Sequence, residues 1–145
     1  MNDLASHAPA TVDTELLAAA RSAAHRAYAP YSRFHVGAAL RSAQGRVYAG
    51  CNVENAAYSI GGCAERAALA AAVLAEGAQF RLHALVVVAT DPEGKALAAA
   101  PCGACRQALV EFGADAAVTF HGSDGSWTTI TAAALLPHGF VLPPR

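Results

Sequence analysis

The sequence predicts an α/β fold. Short apolar runs rich in valine and phenylalanine alternate with longer alanine- and leucine-rich segments, and glycine or proline stands at most of the boundaries. With 145 residues, 54% hydrophobic and 14% charged, the chain is long enough to bury a core of its own and far from the composition of disordered segments. One domain is expected over residues 1–145, with a polar arm at residues 1–10.

Along the chain, residues 11–28 place Val12, Leu16, Leu17 and Ala20 at helical spacing, with Thr11 or Asp13 as the cap and Ala29-Pro30 as the stop. Residues 34–40 and 46–53 are apolar runs around Ser42-Ala43-Gln44-Gly45, which signals a hairpin. Residues 63–76 read as a buried helix ending at Gly77. Residues 82–89 carry Leu85-Val86-Val87-Val88 and read as a central strand buried on both faces. Residues 103–112 form a second such helix stopped by Gly113, and residues 116–121 another strand. From Trp127 onward come a short strand, a helical turn at residues 131–136 and a tail.

Charge narrows the function. Ten basic residues against eleven acidic ones give a net charge of -1, which leaves no surplus for a phosphate backbone, so polymeric nucleic acid is not an expected partner. Mean hydropathy is +0.30 and residues 125–144 carry no charge, but prolines, glycines and hydroxyl side chains interrupt that stretch, so no membrane span is expected. The N-terminal MNDLASHAPATVDTE carries acids and lacks the basic and apolar regions of a secretory signal. A cytoplasmic location follows as the expectation, and four cysteines are then metal ligands, catalytic thiols or core residues rather than disulfides.

Their spacing favours metal. Cys63-Ala64-Glu65-Arg66 and Pro101-Cys102-Gly103-Ala104-Cys105 each open an expected helix, where free backbone N–H groups and the helix dipole favour a thiolate. Three thiolates supply three ligands of a tetrahedral zinc site, and a catalytic zinc keeps its fourth position for water. No HxxxH or second CxxC completes the set. Glu65 follows Cys63 by two positions, which do not share a face in a regular helix; the two converge only if Cys63 lies at the irregular helix start. A glutamate beside activated water takes its proton and returns it to a leaving group, which is hydrolysis at an electrophilic carbon.

The combination of three cysteines, a glutamate that is not a ligand and a PCxxC element is general among zinc nucleobase deaminases. The segments AYAPYSRFHVGAAL, GCNVENAAYS, GCAERAAL, PCGACRQ and LLPHGF, in this order and over nearly the whole chain, make the sequence resemble the short, homotetrameric, zinc-dependent type of cytidine deaminase. The resemblance implies a three-layer α/β fold, with a mixed sheet of about five strands flanked by helices. It implies one zinc ion per chain on Cys63, Cys102 and Cys105, and hydrolytic deamination of cytidine and 2'-deoxycytidine to uridine and 2'-deoxyuridine with release of ammonia, a step of pyrimidine salvage.

The resemblance also implies residue roles. Glu65 would shuttle protons, the Ala64 N–H would meet the pyrimidine O2 and the Ala100 carbonyl the amino group. Arg66 would hydrogen-bond the ligand sulfurs and drain charge from them. Asn52 and Glu54 would hold the ribose; they alternate by two along a strand and so share a face, and an amide with a carboxylate suits a pair of hydroxyls. Phe34 would stack near the base, while Tyr58 and Phe140 would enter a neighbouring subunit's site. The implied partners are a small nucleoside and further copies of the chain.

Other readings stay open on the residues alone. The chain could deaminate another amino-heterocycle such as blasticidin S, or be a non-catalytic zinc module closed by Cys51 or a histidine, or a thiol redox protein using Cys102 and Cys105. Cys51 otherwise reads as core and Trp127 as packing the end of the sheet. Ile60-Gly61-Gly62 reads as a tight approach of the loop to the ligand cluster.

Overall fold

The computed structural model describes residues 12–144; the polar arm at residues 1–10 and the candidate cap Thr11 lie outside the described residues. The elements run α1 (Thr14–Ala24), β1 (His35–Ser42), β2 (Val47–Cys51), α2 (Ala64–Glu76), β3 (Leu82–Thr90), β4 (Ala96–Leu97), α3 (Gly103–Phe112), β5 (Ala117–His121), β6 (Trp127–Thr131) and α4 (Ala132–Leu135). The sheet is mixed and has six strands, where about five were expected. Its main path is β2-β1-β3-β5-β6, with the two-residue β4 paired to the end of β3. β3 and β5 are parallel, joined by the crossover that carries α3, and the other pairings are antiparallel.

Two apolar layers sandwich the sheet, and alternation along the strands supplies both. Ala38, Leu40, Leu85, Val87 and Val118 pack with α2, α3 and α4, while Ala39, Val86 and Val88 pack with Leu16, Leu17, Ala20 and Ala24 of α1. The central strand β3 is therefore buried on both faces, as its continuous apolar run predicts.

Asp13 caps α1, accepting from the Glu15 and Leu16 N–H groups at 3.0 and 3.1 Å, and the same carboxylate accepts from Arg41 Nε of β1 at 2.8 Å. The helix ends at Ala24 rather than running to Tyr28. The reason is competition: the Tyr28 N–H donates to Asn52 C=O at 3.1 Å, and Tyr28 already bridges to Val53 as extended chain.

Two glycines set how closely the helices approach. A Cβ on Gly37 would lie 1.9 Å from the Ala20 carbonyl oxygen of α1, and one on Gly50 would lie 2.5 Å from the Ala68 nitrogen of α2. The second contact fixes α2 against β2 and with it the position of the helix start at Cys63.

Candidate active site

Cys63 is the N-cap of α2, in extended conformation at φ -81° and ψ 151°. Cys102 is the N-cap of α3, at φ -68° and ψ 168°. Neither side chain caps its own helix. Cys105 follows in the first turn of α3 and is buried. The sulfurs of Cys63, Cys102 and Cys105 all lie within 4.8 Å of one another, and among the described residues no fourth histidine, cysteine, aspartate or glutamate joins them. Cys51 stands apart in β2 as a free thiol.

The donor set fits a zinc ion. Burial pushes the Cys63 thiol up, with the charges of Cys102 and Glu65 adding to it, and burial together with the Glu65 and Cys63 charges pushes Cys105 up much further. Burial raises Cys102 as well, but the Cys105 and Ala104 N–H groups and the two neighbouring thiols outweigh it and bring the net shift down. Three soft donors that cannot all ionise beside one another become compatible when a dication sits among them.

Glu65 is 5% exposed. Burial holds its carboxyl above the usual carboxylate range, against smaller opposing effects of a backbone N–H, the Cys105 thiol and the Arg66 charge. The Cys63 sulfur is the largest influence on the Arg66 guanidinium and raises its pKa, and the charges of Cys105 and Cys102 act in the same direction. Arg66 does not line the cleft. The Ala64 N–H belongs to the first turn of α2, which has no helical acceptor.

Four residues of this group open onto a cleft of about 620 Å³. Cys63, Ala64, Glu65 and Cys102 line the metal end, and Phe34, Asn52, Glu54 and Tyr58 the other. Ala98, Ala99 and Ala100 close the side. The structure thus gathers nearly all the residues singled out from the sequence. Phe140 stands apart from them: it is 68% exposed and, like Arg66 and the buried Cys105, does not line this cleft. Its backbone is held by Gln107, whose amide donates to the Phe140 carbonyl at 2.9 Å and accepts from its N–H at 3.1 Å.

Sequence reasoning missed Ser32, which also lines the cleft, and the two residues before the expected Ala100, Ala98 and Ala99, which carry no chemical signal as alanines. The glycines before Cys63 need a different explanation from the one expected. A Cβ on Gly62 would meet nothing within 4 Å, and the nearest neighbour of one on Gly61 would be at 3.6 Å, so no tight approach requires them. Gly62 instead pairs as extended chain with Val53.

Two helix starts presenting three sulfurs, with a buried carboxylate alongside in an open cleft, define a single-metal site built for proton transfer at a small ligand. Residues 10–121 match the model of the cytidine and deoxycytidylate deaminase zinc-binding region. The chain is 45% identical to a cytidine deaminase of Sporosarcina psychrophila over 127 residues, covering 87% of this chain and 89% of that one. It is 43% identical to a cytidine deaminase of Halalkalibacterium halodurans over 126 residues, covering 86% and 91%. The crystal structure of a cytidine deaminase from Burkholderia pseudomallei superimposes with a TM-score of 0.76 at 41% identity, covering 90% of this chain and 100% of that one. The chain belongs to the zinc-binding cytidine and deoxycytidylate deaminase family.

Proposed function

We propose that this protein is a zinc-dependent cytidine deaminase that converts cytidine and 2'-deoxycytidine, with one water, to uridine and 2'-deoxyuridine, with ammonia as the second product. The observation that carries this reading is the juxtaposition of the Cys63, Cys102 and Cys105 sulfurs with the buried Glu65 at one end of a cleft of nucleoside size. The three thiolates hold one zinc ion per chain, which supplies the Lewis acidity that makes water nucleophilic near neutral pH.

Glu65 carries the protons. Its burial keeps proton affinity high, so it takes a proton from the attacking water, delivers it to N3 as C4 becomes tetrahedral, and moves a proton to the departing amino group. The Ala64 N–H donates to O2 of the base and the Ala100 carbonyl accepts from the amino group. Arg66 donates to the Cys63 sulfur and withdraws charge from the ligand set. Asn52 and Glu54 hold the ribose and Phe34 packs against the base.

The deaminase is a homotetramer on this reading, with Tyr58 and Phe140 each completing a neighbour's site. Supporting it, Tyr58 is 80% exposed in the single chain, and Ile60, Leu74, Phe140, Val141 and Leu142 are exposed apolar side chains as well. On this reading residues 1–145 make one domain; supporting it, the two apolar cores of the described residues pack on the two faces of a single sheet. We place the protein in the cytoplasm, in pyrimidine salvage: a reducing compartment keeps the thiols available for metal. No helix among the described residues is long and apolar enough to cross a membrane.

The test is direct. Purified, zinc-loaded protein should release one ammonia per uridine formed from cytidine, and chelation should stop it. A zinc-loaded preparation inert on both cytidine and deoxycytidine would refute the reading.

A further inference from the structure

Glu54 enters the cleft with its carboxylate already engaged. Oε2 accepts from the Tyr31 N–H at 2.9 Å and the Ser32 N–H at 3.2 Å, and Oε1 accepts from the Ser32 hydroxyl. The same Ser32 oxygen accepts from the Phe34 N–H at 3.0 Å. Arg33, between them, is left-handed at φ 58°, a conformation that L residues adopt only against steric resistance. That kink returns the chain so that the residue 32 hydroxyl reaches the residue 34 amide. The remaining side of Phe34 is held by Asn52, whose Nδ2 donates to the Phe34 carbonyl at 2.8 Å while its Oδ1 accepts from the Val36 N–H at 2.8 Å.

The chemistry of a hydroxyl makes this arrangement directional. Ser32 has one proton and two lone pairs. With Phe34 donating to the oxygen, the proton is committed to Glu54. A carboxylate has about four acceptor positions; the chain fills three, which leaves one for a donor from a ligand.

Resting on the nucleoside reading above, we propose that Ser32 is a positioning residue: its single hydroxyl ties the Glu54 carboxylate to the Phe34 backbone, so the sugar contact and the base contact are set in register. Its action is on substrate binding and not on the proton transfers at Glu65, because none of its hydrogen bonds reaches the metal end of the cleft.

Steady-state kinetics of the zinc-loaded enzyme on cytidine decide it. Ser32→Ala should raise KM about tenfold, the worth of a hydrogen bond to a charged group, with kcat within about twofold of wild type. Ser32→Thr, which keeps the hydroxyl, should recover most of the loss. In a Glu54→Gln background, Ser32→Ala should add less than about twofold, because the two residues act as one unit. An unchanged KM in Ser32→Ala, a fall in kcat at constant KM, or full additivity with Glu54→Gln would overturn the proposal. The parent reading fails differently: it falls if zinc-loaded wild type is inert, whereas active wild type with an insensitive Ser32→Ala removes the positioning role alone.

Discussion

Val53 and Gly62 exchange both of their backbone hydrogen bonds, Val53 N–H to Gly62 C=O at 3.0 Å and Gly62 N–H to Val53 C=O at 2.9 Å. Val53 lies between Asn52 and Glu54, and Gly62 immediately precedes Cys63. One pair of peptide groups therefore fixes the distance between the polar end of the cleft and the metal end.

That pairing separates two substitutions at one glycine. Gly62→Ala should be tolerated, because its Cβ would meet nothing within 4 Å and the backbone is not left-handed. Gly62→Pro removes the donated N–H and should lower zinc content and raise KM together. Zinc analysis alongside kinetics checks this; an alanine variant as impaired as the proline one would show that the pairing is not what matters.

Gly37 and Gly50 should behave differently from each other. Either alanine variant over-packs a helix against the sheet, at a cost of about 1–3 kcal/mol in stability. At Gly37 the displaced helix is α1, on the face away from the cysteines. At Gly50 it is α2, which carries Cys63 and Glu65. Both should melt earlier, but only Gly50→Ala should also lose zinc and kcat below its own melting range. Equal activity per folded molecule in the two variants would count against the packing argument.

Glu65 and Arg66 are adjacent in sequence, and the proposed mechanism gives them different tasks. Glu65→Ala should retain zinc while kcat drops by about a hundredfold or more, the usual worth of a general acid–base group. Arg66→Gln should retain most of the zinc and lose about tenfold in turnover, as expected for a group that tunes a ligand. Undiminished kcat in Arg66→Gln would remove the idea that it drains charge from Cys63.

His121 makes stability depend on pH. The residue is 3% exposed, its ring packs against Trp127 with centroids 3.8 Å apart and the planes tilted by 41°, and among the described residues neither ring nitrogen has a hydrogen-bond partner. Burial, with Arg21 nearby, holds its pKa below the ordinary 6.5. The folded state therefore keeps the ring neutral while the unfolded chain protonates it as pH falls through about 6.5. The stabilisation is full above that pH and declines below it. His121→Phe keeps an aromatic ring without the titration, so its Tm should fall less than that of wild type between about pH 7 and pH 5. Parallel Tm curves would exclude His121 as the source.

Much of this architecture is legible in the sequence, for reasons tied to particular residues. The ends of α2 and α3 are marked by Gly77 and Gly113, and β3 by an apolar run with no polar interruption. The cysteines stand out because both of the helix starts that carry them also carry a glycine or proline beside the thiol. What the sequence conceals is long-range. β4 is two residues in an alanine-rich stretch with no periodicity, and exists because β3 offers it an edge. The helical spacing of α1 continues past Ala24, but Asn52 captures the Tyr28 amide. Ser32 looks like a turn serine until Glu54, far along the chain, is brought to it.

The ligand cysteines come from helices that precede and follow β3 in the chain, and this has a consequence for how the protein matures. No continuous peptide presents all three sulfurs; they meet only after α2 and the β3–β5 crossover have docked on opposite stretches of the same sheet. Tight zinc capture is therefore a late event in folding and a report on completed topology. A chain still missing α3 has one of the three thiols, so the full donor set exists only once both helices are in place.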